Sequence, residues 1–105
     1  MHRLLPVLVA GFALLSLLLG AAQLAGGFSL VSGADDAKGV KLPAAVAGRV
    51  IIVKNNTSGK NLLVYPATSD KINGGTATTG ALTMAGFTAA MFVAYDDVDW
   101  YSLPL

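Results

Sequence analysis

The sequence predicts an all-β fold, a small β-sandwich or barrel-like domain preceded by an apolar N-terminal helical segment. Three observations carry this. The run Val50-Ile51-Ile52-Val53 is β-branched throughout and suits a pleated, half-buried surface. Turn formers recur at close intervals, at Ser32-Gly33, Asn55 to Asn61, Asn73-Gly74, Ala85-Gly86 and Asp96-Asp97, as many short strands require. All the acids are Asp and few side chains are long and charged, so the chain has little of the vocabulary that clothes an exposed helix.

Residues 1–27 form a segment distinct from the body, residues 28–105. Arg3, with His2 and the α-amino group, gives it a short positive start. Val7 to Leu19 is Leu-rich, broken only by Gly11 and Ser16, and Gly20-Ala21-Ala22 supplies small residues before Gln23. That is the tripartite form of a secretory signal, with Ala22-Gln23 as a cleavage point. Leu4 to Ala22 is also about the length that spans a bilayer. A helix buried among sister subunits and a misassigned start are further readings, and all stay open here. The segment is apolar on all sides, so it is not an amphipathic surface helix.

In the body, Phe28 to Val31 alternates weakly and reads as a first strand. Ser32 to Gly39 is a polar loop, and Val40-Lys41-Leu42 is a short alternating strand ended by Pro43. Gly48 to Pro66 reads as one β-hairpin. Its arms are Arg49 to Lys54 and Leu62 to Tyr65, and its tip is Asn55 to Asn61. Ile72 is the one bulky apolar residue of the next loop and is expected to point inward; Asn73-Gly74 marks a tight turn. Ala81 to Met84 is a short strand. Phe87 to Tyr95 is a long one, preferred over a helix because of Gly86, Thr88 and its aromatic and β-branched content. Asp96-Asp97 turns the chain, and Val98 to Leu103 returns as the final strand, closed by Pro104. Mid-strand placement predicts Ile52, Val64 and Phe92 as core residues.

The chemistry-bearing inventory is thin. The chain has no Cys, and its only His is His2. Without a body His, Cys or Glu, no nucleophile–base pair is in prospect, and the chain reads as a non-enzyme with no cofactor. The cluster Asp96, Asp97 and Asp99 lacks the spacing and closing Glu of an EF-hand and reads as a solvated turn rather than a metal site. Asn55-Asn56-Thr57 and Asn56-Thr57-Ser58 are formal glycosylation sequons whose plainer meaning is a hairpin tip. Tyr65, Tyr95, Trp100 and Tyr101 could stack on a sugar, but strand aromatics more often serve core or subunit contacts. Six basic residues balance six Asp from Phe28 onward, so nucleic acid is not expected as a partner.

A body this short without Cys makes a marginal core, for which a partner subunit is the remaining source of buried area. In Phe87 to Tyr95, alternation sets Phe87, Ala89, Met91, Val93 and Tyr95 on one face and Thr88, Ala90, Phe92 and Ala94 on the other. Each face carries an aromatic. Phe87, Met91, Tyr95, Trp100 and Tyr101 are therefore the candidate subunit or surface contacts of a homo-oligomer.

From about Phe28 to Leu103 the chain resembles a family of small phage virion domains found in head-decoration, head-fibre and tail-associated proteins. The matching stretches are Val40 to Ala45, Gly48 to Asn55, Val64 to Ala67, Asp70 to Gly74, Ala89 to Tyr95 and Trp100-Tyr101. The resemblance implies a β-rich, trimeric bacteriophage module that binds capsid or tail proteins, is located in the virion and catalyses nothing. Residues 1–27 depart from it, since virion parts are usually assembled in the cytoplasm. The alternative is an exported or membrane-anchored cell-surface β-domain that binds a glycan or protein ligand, with any membrane contact made through residues 1–27.

Overall fold

The computed structural model describes residues 8–10, 22–24, 27–37 and 39–105. These residues form strands and no helix. Along the chain the strands are β1 (Leu8–Ala10), β2 (Ala22–Gln23), β3 (Gly27–Ser32), β4 (Gly39–Lys41), β5 (Val50–Asn55), β6 (Leu62–Tyr65), β7 (Lys71–Ile72), β8 (Leu82–Met84), β9 (Ala89–Ala94) and β10 (Asp99–Pro104). The all-β expectation holds. The helical segment expected ahead of the body lies largely outside the described residues, and its described stretches, β1 and β2, are strands.

Two sheets share one apolar core. The larger has the spatial order β1-β3-β5-β9-β10-β7 and the smaller β2-β4-β6-β8. From β1 to β9 the chain alternates between them at every step, so consecutive strands face each other across the core instead of lying side by side. A parallel pair needs a long crossover, and here a strand of the opposite sheet supplies it. Thus β3 pairs β5 in parallel with β4 between them in sequence, and β4 pairs β6 in parallel with β5 between them. Among the described strands, sequence neighbours pair only at β9 and β10, which form an antiparallel hairpin.

This topology corrects the hairpin expected over Gly48 to Pro66. Its arms, β5 and β6, exist as strands but belong to different sheets. β5 pairs β3 and β9, whereas β6 pairs β4 and β8. The connection is an arch across the core. Asn55 explains why it closes that way. Its side chain points inward, fully buried, and Nδ2 donates to the carbonyls of Lys60 (2.8 Å), Met84 (3.0 Å) and Ala85 (3.1 Å). Oδ1 accepts from the Thr57 N–H at 3.2 Å. One amide therefore ties the end of β5 in the large sheet to the end of β8 in the small one. Gly86 completes the junction: a Cβ there would lie 2.5 Å from the Thr57 carbonyl oxygen and 2.8 Å from the Gly59 nitrogen.

The core follows the pleat. From the large sheet come Val31, Ile51, Val53, Ala90, Phe92, Ala94 and Trp100; from the small one come Val40, Leu62, Val64 and Met84. Leu24, Leu42 and Ile72 fill the ends. Large Phe92 and Trp100 alternate with small Ala90 and Ala94, which lets the layers interdigitate. Val64, Phe92 and Ile72 are inside as expected. Ile52 is not: the burial pattern of β5 puts Ile51 and Val53 inward and Ile52 outward. A run of four apolar residues carries no alternation of its own, so its parity is set by the neighbouring strands. The loops at one end are pinned by buried Asp70, whose carboxylate accepts from the Ala45 N–H at 2.8 Å.

Candidate interaction face

The outward side chains of the large sheet form apolar rows. The central row runs Phe28, Ile52, Met91, Leu103 over β3, β5, β9 and β10, each residue registered with the next. Beside it lies the row Val50, Val93, Tyr101. On the other flank the row is Leu30, Lys54, Ala89. Phe28, Val50, Tyr101 and Leu103 are exposed, while Ile52, Met91 and Val93 between them are half-buried. A solvated sheet face ordinarily carries polar side chains. This one keeps its charges to the margins, Lys54 on one flank and, diagonally opposite, Asp99 with Lys71 of β7 registered beside it.

The margins are built specifically. Phe87 adopts φ of +61° in the turn before β9, a left-handed conformation that costs a bulky residue about 1–3 kcal/mol. The turn is held by the Thr88 hydroxyl donating to the Ala85 carbonyl at 2.7 Å. It leaves the Phe87 ring exposed at the rim, with Lys54 Nζ 5.8 Å from its centroid and donating to the Phe87 carbonyl at 2.7 Å. The ammonium is thereby drawn aside while its stem lies along the sheet. At the opposite corner Tyr95 and Tyr101 stack, with ring centroids 4.9 Å apart and planes 14° from parallel. The Tyr95 phenol is held above its ordinary range, chiefly by the negative charge of Asp99, then by desolvation and the adjoining Tyr101 and Asp96.

Of the expected contact residues, Phe87, Met91, Tyr95 and Tyr101 do share this outer surface. Trp100 does not. It is 0 % exposed, turned inward between Ala94 of β9 and Ile72 of β7 in the register of the sheet. Its neighbours Asp99 and Tyr101 take the outward positions, so the pleat forces the indole into the core. Nor do the four aromatics weighed as a sugar platform come together: Tyr65 lies in the small sheet. There it shields Gly39, where a Cβ would come within 2.9 Å of its ring. Phe28, Val50 and Leu103, which the sequence pattern leaves unassigned, and Ile52, which mid-strand placement puts in the core, complete the face. Their facing follows the parity that the paired strands impose, which no alternation within Val50 to Val53 announces. Lys54, two residues after Ile52 and four after Val50, marks the outward side of β5.

The acidic turn is a backbone cap. Asp96 Oδ1 accepts from the N–H groups of Val98 (2.8 Å) and Asp99 (2.7 Å). These bonds, Val98 first, hold its carboxyl below the ordinary carboxylate range. A carboxyl depressed in the folded state stabilises above its unfolded pKa and loses that contribution as pH falls through the folded value. Wild-type denaturation midpoints should therefore fall more steeply, as pH drops into and below the ordinary carboxylate range, than those of Asp96→Asn, whose amide oxygen still caps the turn. Equal slopes would remove the cap from the acid response. Among the described residues no group of three or more His, Cys, Asp or Glu is placed to hold a metal ion. Of the two sequons, the first falls on fully buried Asn55, which leaves exposed Asn56 as the sterically open position.

A groove of about 310 Å³ opens where β8 ends the small sheet, between it and β9 and β10. Its walls are Leu82, Met84, Ala85, Ala90 and Pro104, with hydroxyls from Thr83, Thr88 and Ser102 and no ionisable side chain. It offers shape and apolar contact but no acid, base or nucleophile–base pair.

The chain matches no protein-family model, and neither a curated protein nor a solved structure matches it.

Proposed function

We propose that this chain is a non-enzymatic structural module of a phage or prophage virion, a capsid-decoration, head-fibre or tail-associated β-domain that works as a homotrimer. The observation that supports this reading best is the large sheet, which is apolar on both faces. One face is consumed by the core; the other is left for protein contact. A module that acts by being built into an assembly needs such a surface and needs no acid–base pair. The small body and its balanced charge favour association in the same direction.

The test is the whereabouts of the native protein. Gradient-purified particles from cells that produce the chain should contain it, in multiples of three per attachment position by quantitative mass spectrometry. Recovery only from the envelope or the medium, with a shortened N-terminus by intact mass, would replace this reading with that of an exported surface domain.

A further inference from the structure

We infer that the outer face of the large sheet is the contact between copies of this chain, with the row Phe28, Ile52, Met91 and Leu103 at its centre. The inference deepens the reading of the chain as a self-assembling module and rests on it for the choice of partner. The location comes from the register. Strands about 4.8 Å apart and outward residues about 6.8 Å apart along each strand make four strands and three rows a patch of roughly 400 Å² in projection. That is the size of the largest apolar patch on a typical monomer. With the flanking aromatic rings of Phe87 and Tyr95 it supplies the dry centre of an interface of about 800 Å² per partner, the size a stable pair requires.

Charge favours a second copy over a charged partner. The three rows hold one charged side chain, Lys54, and its ammonium is drawn to the Phe87 carbonyl at the rim. Asp99 stands at the diagonally opposite corner, beside the Tyr95–Tyr101 stack. Asp99 is registered with exposed Lys71 of β7, so that corner carries both signs, and two such faces bring no like charges together at their centre. The residue types also fit: the patch carries aromatics and Met, with its charges at the edge, the composition of interface cores.

The experiment is sedimentation velocity of the full chain over a range of micromolar concentrations. It compares wild type with Leu103→Lys, Met91→Lys and, as control on the outer face of the small sheet, Thr83→Lys. Leu103 and Thr83 are exposed, so neither lysine burdens the folded protomer; far-UV circular dichroism checks Met91→Lys. The wild type and the control should associate, and each face variant should weaken association roughly 30-fold or more, the scale of a central contact residue. A trimer that the face variants dissociate supports both the inference and the proposed assembly. A dimer that they dissociate keeps the interface and overturns the three-fold module. Association that the face variants leave intact, or a monomeric wild type, overturns the inference.

Discussion

Phe92→Ala should lower the unfolding free energy by about 3–5 kcal/mol, the cost of emptying a fully enclosed aromatic site. Trp100→Ala should fall in the same range, since both rings are fully buried and stand among small neighbours that cannot collapse to fill the space. Ile52→Ala is the informative contrast. It removes a branched side chain from the same sheet, one strand away, but from the outward face. Its cost to the protomer should be about 1 kcal/mol, because the side chain is only half withdrawn from water. Urea denaturation at a concentration low enough for the wild type to be monomeric measures all three, so that the contact between copies does not enter. Equal losses at Ile52 and Phe92 would mean that the two faces of β5 and β9 are assigned wrongly.

Asn55→Ala should cost about 2–4 kcal/mol, more than its volume warrants. The amide serves three carbonyls and one N–H at the point where the chain leaves one sheet for the other. Alanine leaves those groups without their partner and admits no other side chain to replace it. Asn55→Asp sharpens the test. An ionised carboxylate cannot donate, and it would face three carbonyl oxygens, so this nearly isosteric change should destabilise at least as much near neutral pH. Lowering the pH should recover part of the loss, as the protonated acid regains one donor. If both variants unfold at the wild-type midpoint, the arch is not held by this amide.

These two residues show where sequence reading succeeded and where it stopped. The two sets of side chains along β9 were legible, because strict alternation divides Phe87 to Tyr95, and the mid-strand place of Phe92 pointed to the core. The turns at Asn73-Gly74 and Asp96-Asp97 were legible too. Asn73 and Gly74 both take positive φ, 54° and 72°, and the Gly75 N–H closes the turn on the Ile72 carbonyl at 2.9 Å. Local chemistry dictates both, whatever the rest of the chain does.

By residue type Asn55 is one turn former among several, which says only that the backbone bends nearby. Its actual partners, Lys60, Met84 and Ala85, include two that are about thirty residues distant, and no local pattern announces them. The same limit produced the hairpin over Gly48 to Pro66. A reversal between two apolar runs is equally compatible with side-by-side strands and with an arch across a core. The backbone groups of β5 and β6 find ladders in either case.

Local sequence is enough to place most strands of the body, the turns that end them and, in alternating runs, which side chains oppose which. Sheet membership, the short strands β1, β2 and β7, the facing of Val50 to Val53 and the burial of Trp100 between two outward neighbours follow from the packed fold. Strand formation and turn closure are set by the conformational preferences of a few adjacent residues. Sheet membership is set by which distant strand completes a hydrogen-bond ladder. A change of partner, from β6 to β3 and β9, leaves every local preference of β5 satisfied.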